Sequence, residues 1–240
     1  MRIENRSLLG ILLFVGAAQV ILIVNIAEAL YPGYSVATNV ISDLGVGQTA
    51  LMYNASAVVF GAFILIGLLL GRRAIGTGLT ITLAIYGACS AGVGIFPETT
   101  GALHSVITLG ILVFGVVSAI ISYRVLRPPL SYASVGLGII ALVAIVLGVT
   151  QIYLGIGKGG MERMAAYPIW LWVLGFGGGS HRLQARAHVV HRVGLRARNH
   201  SATTSDSLKD GLSCGIITHV QSVSHPWPTA RSGGVLIFNK

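Results

Sequence analysis

Hydrophobic residues run in six long, unbroken stretches through the first three quarters of the chain, with short polar connections between them, and then the pattern stops. The stretches are Leu8 to Leu30, Ala50 to Leu70, Ile75 to Phe96, His104 to Tyr123, Ala133 to Gly155 and Met164 to Gly178. None alternates with period two, which argues against the strands of a membrane barrel and for helices. A hydrocarbon core of about 30 Å takes roughly 20 apolar residues of helix, each closing its own backbone hydrogen bonds. The pattern therefore predicts an all-α, six-helix transmembrane bundle. The sixth stretch is short of a comfortable crossing length.

Composition sharpens this picture. Of 240 residues, 54% are hydrophobic and 10% charged, where an ordinary soluble domain has about 25% charged residues. A soluble core does not account for that balance. Arg2 and Arg6 ahead of the first stretch, and Ala27-Glu28-Ala29 near its end, imitate a signal peptide. The apolar run is longer than the roughly 7 to 15 residues of a signal core, and five more stretches follow. An uncleaved first helix is expected.

Charge sets the expected orientation, because short connections rich in arginine and lysine stay cytoplasmic. Arg2 and Arg6 precede the first span, Arg72 and Arg73 occupy the second connection, and Arg124 and Arg127 the fourth. The first and third connections have no basic residue, and only the fifth dissents, with Lys158 and Arg163 beside Glu162. Both termini are expected in the cytoplasm of a cell-membrane protein, with the odd-numbered connections outside. Glu28, Asp43, Glu98, Glu162 and His104 then all fall at or just beneath the outer face.

Two regions follow: a six-span membrane domain over residues 1–179 and a basic, Ser- and His-rich tail over 180–240, expected to be cytoplasmic and disordered. The domain has eight basic and five acidic side chains, the tail eight and two. Such a tail is attracted to anionic lipid at about 1 kcal/mol per charge near the surface. No stacking platform accompanies its arginines, so nucleic acid is not an expected partner. Six of the seven histidines lie there without a repeated ligand spacing, which reads as solvation rather than metal binding. Two cysteines, Cys89 and Cys214, make no disulfide framework; Cys89 reads as a small packing residue.

The candidate chemistry sits in the odd connections. The first contains Tyr34-Ser35, Asn39 and Ile41-Ser42-Asp43-Leu44-Gly45, with Asn54 following in the second span. Ser42 and Asp43 suit either a helix cap or a ligand-facing role, since the same oxygens serve both. The third connection reads Phe96-Pro97-Glu98 and leads to His104, whose imidazole near carboxylates suits proton transfer or metal binding. Glu162-Arg163 reads as a local ion pair or as a member of the same group. Asn25 and Glu28 share one face of the first helix, and Glu28 either reaches the headgroups or meets Arg163 across the bundle. The run Gly87-Ala88-Cys89-Ser90-Ala91-Gly92, continued by Gly94, suits close helix packing.

These features together resemble a family of bacterial and archaeal membrane proteins catalogued as domain-of-unknown-function family 998. Tyr34-Ser35, Asn39, the Ile41 to Gly45 stretch, Asn54, Phe96-Pro97-Glu98, His104, Glu162-Arg163, Pro168 and Trp170 carry the resemblance, over about residues 5 to 178. Beyond Gly178 the chain departs from the pattern, which normally completes the sixth helix. The resemblance implies a six-span bundle and no particular activity.

Two functional expectations stand side by side. One is a binding or structural module with an outward-facing polar pocket, for which Asn39, Ser42, Asp43, Asn54, Glu98, His104, Glu162 and Arg163 are the ligand-binding candidates. The partner would be a lipid headgroup, an ion or a small molecule at the outer face. The other is a membrane-embedded enzyme acting at the outer leaflet, with His104 as acid or base and Asp43 and Glu162 as partners or metal ligands. One imidazole with carboxylates suits zinc or manganese, while no nucleophile motif or phosphate-binding loop is present. No cofactor is specified. Charged residues near mid-span are absent, which argues against ion-coupled transport.

Overall fold

Six α-helices and no strand make up the described part of the chain in a computed structural model that describes residues 2–72 and 75–179. The helices are α1 (Arg2–Leu30), α2 (Ala50–Gly71), α3 (Thr77–Ile95), α4 (Ala102–Ile121) and α5 (Leu130–Val149), followed by α6 (157–179). Five of them, α1 to α5, are long and apolar enough to cross a membrane. The chain divides into one unit over Met1–Val189 and another over Val190–Lys240. The tail from residue 180, with Cys214 and six histidines, and also Arg73 and the side chains of Arg2 and Arg6, lie outside the described residues.

The two boundaries between α5 and α6 differ most from the hydrophobic pattern, each for a local reason. The fifth span was expected to run to Gly155, but α5 stops at Val149. The Thr150 hydroxyl donates back to the carbonyls of Val146 (3.0 Å) and Leu147 (3.1 Å). Gln151 (φ 60°), Leu154 (φ 49°) and Gly155 (φ 81°) then take left-handed conformations that no helix continues. The sixth helix begins seven residues ahead of the expected Met164. Hydropathy alone hides those first two turns, because Gly157-Lys158-Gly159-Gly160 and Glu162-Arg163 are polar or small. At about 1.5 Å per residue the helix is about 34 Å long, enough for a hydrocarbon core of about 30 Å.

Consecutive helices pack as neighbours, α1 on α2, α2 on α3, α3 on α4 and α4 on α5. Apolar contact with lipid offers no drive to bring helices together, so small residues and interhelical hydrogen bonds decide where they meet. Between α1 and α2, Gln19 donates to the Ser56 carbonyl (3.1 Å) and Ser56 donates back to Gln19 Oε1 (2.9 Å). Between α2 and α3, Gly61 and Gly94 allow the backbones to touch: a methyl on Gly61 would strike the Gly87 carbonyl, and one on Gly94 the Asn54 carbonyl. The Ser118 hydroxyl of α4 donates to Thr82 Oγ1 of α3 at 2.8 Å. Cys89 lies against Gly110 of α4, packed as a small side chain.

Far from being a frayed end, α6 is central. Ile169, Trp172, Val173 and Phe176 are all essentially fully buried. Gly177 presses on the α1 backbone at Gly10 and Phe14, and Ile169 fills the notch at Gly115 of α4. The Trp172 indole donates to Ser122 Oγ (2.9 Å), and Met161 meets α5 at Gly148. By contrast α5 is apolar all round, with only 22% of its most apolar window buried, as befits a helix at the lipid-facing edge.

Candidate functional site

All the polar candidates converge at the end of the bundle that carries the first, third and fifth connections. They form two groups with different characters. The first is a closed ionic clamp built on Arg163, which is 6% exposed. Its Nε and Nη2 donate to Glu28 Oε1 of α1 at 3.0 and 2.7 Å. Nη2 also donates to the Tyr34 hydroxyl (2.6 Å), while Nη1 donates to the carbonyls of Gly159 (2.7 Å), Asn39 (3.0 Å) and Val36 (3.3 Å). Every guanidinium N–H is thereby engaged.

The first connection is laid directly on α6 to make this possible. Gly157 (φ 76°) and Gly159 have no side chain to keep it away, and a methyl on either would collide with the backbone of Ala37 or Asn39. The Gly159 amide donates to the Ala37 carbonyl at 3.1 Å. Tyr34 stacks beneath, its ring centroid 5.5 Å from the guanidinium carbon, and its hydroxyl donates to the Val40 carbonyl (2.9 Å). Burial pushes the Tyr34 phenol up to about 12, against the pull of Arg163. Arg163 and Glu28 are therefore committed to each other and to the backbone. Glu162 and Arg163 do not form the local pair that adjacency suggests. Asn25, one turn below Glu28, is exposed and donates to its own helix at Ile21 (2.8 Å).

The second group is acidic and opens onto a cavity. Asp43 sits in a short 3-10 turn, Ile41–Gly45, where its Oδ2 accepts from the Asn39 side chain (2.8 Å) and from the Val40 amide (3.1 Å). Asn39 Oδ1 in turn accepts from the Ser35 amide (3.1 Å). Asp43 thus reaches back to hold its own loop, a capping use of the carboxylate. Glu98, at the start of the turn that ends α3, lies against Asp43 and Ser42 and near His104. Loss of hydration pushes the Glu98 carboxyl above the usual glutamate range, the Asp43 carboxyl adds to the rise, and His104 and Ser42 oppose it. Glu162 Oε2 accepts from the Ile41 amide at 2.6 Å. Asn54 turns away from this group: its Nδ2 donates to the Gly45 carbonyl (3.0 Å) and clamps the connection to α2.

His104 opens the first turn of α4 and is 6% exposed. Its Nδ1 lies 2.8 Å from the Phe96 carbonyl. A carbonyl can only accept, so Nδ1 holds the proton and a neutral ring offers its Nε2 lone pair as acceptor. His104, Ser42 and Glu162 line a cavity of about 60 Å³ together with Tyr53, Tyr86, Thr108, Ile111, Ile169 and Trp170, among others. Two polar atoms there have no hydrogen-bond partner although they are buried, the hydroxyls of Tyr86 and Thr108. Buried hydroxyls are rarely left so.

Of the candidates read from the sequence, Ser42, His104 and Glu162 line the cavity, Asp43, Glu98 and Asn39 gather beside them, and Asn54 and Arg163 serve to hold the connection. Tyr53, Tyr86, Thr108 and Trp170 were not among the candidates. One signal for Thr108 was present, since it follows His104 by four residues and so shares its helix face. Tyr86 lies mid-span, where a lone tyrosine looks like packing. Among the described residues no three His, Cys, Asp or Glu side chains come together as a metal site. The imidazole and carboxylates therefore do not assemble the zinc or manganese ligand set that their residue types suggested.

A bundle of apolar helices with its polar residues gathered at one end defines a multi-pass membrane protein. Residues 14–178 match the family described as Protein of unknown function (DUF998), and the chain belongs to it. No curated protein and no solved structure matches the chain.

Proposed function

We propose that this protein is a cell-membrane binding module whose pocket faces the outside of the cell, with both termini in the cytoplasm. The observation that carries this reading is the cavity itself: Ser42, His104 and Glu162 line it together with the buried hydroxyls of Tyr86 and Thr108, which lie beyond hydrogen-bond distance of any partner. A purely structural network would pair those two hydroxyls, because an unsatisfied buried polar group costs about 1 to 3 kcal/mol. The adjacent clamp is such a network, with every donor of Arg163 used. The contrast between the two supports a ligand role for the cavity and a positioning role for the clamp. Orientation follows from the basic residues of the even connections, Arg72, Arg73, Arg124 and Arg127.

Single cysteines in a background lacking Cys89 and Cys214 test this. Glu98→Cys and Lys158→Cys are expected to react with a membrane-impermeant maleimide on intact cells, and Arg127→Cys only after permeabilisation. Thr108→Cys is expected to react with a small methanethiosulfonate but not with a bulky one. Reversed labelling overturns the orientation, and an inert Thr108→Cys overturns the open cavity.

A further inference from the structure

Every charged group around the cavity that is not already committed is an acid. Glu162 lines it, and Asp43 and Glu98 lie close enough to act on Glu162 electrostatically. Arg163 is the neighbouring cation, and its N–H groups are spent on Glu28, Tyr34 and three carbonyls. In its neutral form, with the Nδ1 proton on the Phe96 carbonyl, His104 adds an acceptor. The polar wall therefore accepts hydrogen bonds and is short of positive charge. The fully buried Tyr86 also lines the cavity, its hydroxyl beyond hydrogen-bond distance of any partner, with Ser90 and Trp170 the polar groups beside it. Tyrosine and tryptophan faces attract cations.

Resting on the binding reading above, we infer that the cavity takes a primary ammonium group on a short carbon chain, whose three N–H donors meet Glu162, His104 and the Tyr86 hydroxyl while the chain lies against Ile111 and Ile169. Three N–H donors on one small cation match the acceptor wall in a way that an anion or a neutral alcohol does not. The same chemistry is offered by a free amine and by the headgroup of an aminophospholipid. A metal ion fits less well, because no three ligand side chains converge among the described residues.

The test is thermal melting of the full chain in nanodiscs of phosphatidylglycerol at pH 7, with n-butylamine, n-butanol or butyrate at equal concentration and constant ionic strength. Butylamine is expected to raise the melting temperature by about 4 °C near saturation, and the other two not to. Glu162→Gln keeps an oxygen for the Ile41 amide, and is expected to weaken the response about ten-fold or more, as for a lost charge-assisted bond. Tyr86→Phe is expected to weaken it about three- to ten-fold. Both should melt no lower than the parent without amine, because Glu162→Gln removes a buried charge while keeping the acceptor for the Ile41 amide, and Tyr86→Phe removes a buried hydroxyl; a merely structural role predicts lower melting. If either variant fails to fold, Glu98→Gln, at an exposed position, replaces it.

A shift produced only by nanodiscs containing phosphatidylethanolamine supports the inference with the lipid as source. A Tyr86-dependent shift with butanol or butyrate equal to that with butylamine overturns the ammonium and leaves the binding pocket standing. No shift with any probe or lipid, while Thr108→Cys still reacts, overturns the ammonium alone. No shift together with an inert Thr108→Cys overturns both.

Discussion

Arg163 shows how one side chain can organise a membrane-embedded end of a protein. Its planar fork reaches a carboxylate on α1, a phenol in the first connection and three carbonyls, a set that a lysine cannot reproduce from a single point charge. Arg163→Ala leaves Glu28, only 13% exposed at its side chain, without its partner, and loss of one member of a buried pair costs about 3 to 5 kcal/mol. Melting in detergent should fall accordingly, Arg163→Lys should recover only part of the loss, and Glu28→Gln should be milder because the amide keeps an oxygen for the guanidinium, which retains Tyr34 and three carbonyls as acceptors. Glu98 makes the opposite kind of prediction. Its folded pKa is raised by dehydration and by Asp43, so proton binding favours the folded state. That contribution is fully present below the ordinary glutamate pKa and is lost as pH rises through the elevated one. Melting of the parent should decline over that interval, and Glu98→Gln should flatten the decline; an unchanged pH profile in the variant would remove Glu98 as its cause.

At the level of elements, the short connection between α5 and α6 and the glycines that open α6 decide where the first connection lies. Gly159→Ala places a methyl against the Asn39 and Val36 carbonyls. Backbone cannot yield as a flexible side chain does, so either the connection lifts or the helix start unwinds. Overpacking of this kind typically costs about 1 to 3 kcal/mol, and a lower melting temperature with fewer labelled-in-place contacts between Val36 and α6 would register it. Gly78 is a useful control, because a methyl there meets nothing, and Gly78→Ala should be tolerated or mildly stabilising through helix propensity. The same reasoning separates α2 and α3, joined backbone to backbone at Gly61 and Gly94, from α5, whose outward Ile139, Ile140 and Val143 are exposed. Alanine at those outward α5 positions should shift melting little.

For the molecule as a whole, the two polar groups act in series: the clamp fixes the first connection, and the connection delivers Ile41 and Ser42 to the cavity wall. Arg163→Ala should therefore speed hydrogen exchange of amides 34–46 while leaving the α2 and α3 core protected; uniform acceleration would mean that the bundle itself depends on the clamp. Much of this organisation was legible in the chain. Six apolar stretches set the helix count, because hydrocarbon admits little else, and the placement of acids in alternate connections brought Asp43, Glu98, His104 and Glu162 to one end. Asn54 and Arg163 were legible as polar residues at that end but not as loop clamps, since their partners are backbone carbonyls of residues far away or around a bend. The start of α6 and the end of α5 were hidden, because glycine contacts and left-handed residues, not hydropathy, set them. Residue pattern alone determined that the chain is a helical membrane bundle with an acidic polar end, since periodicity and solvent preference are local properties. Only the tertiary structure decided which acid has a cation and which does not, that α6 is central, and that Tyr86 and Thr108 face a cavity, because pairing and enclosure depend on groups more than a hundred residues apart meeting across the helices.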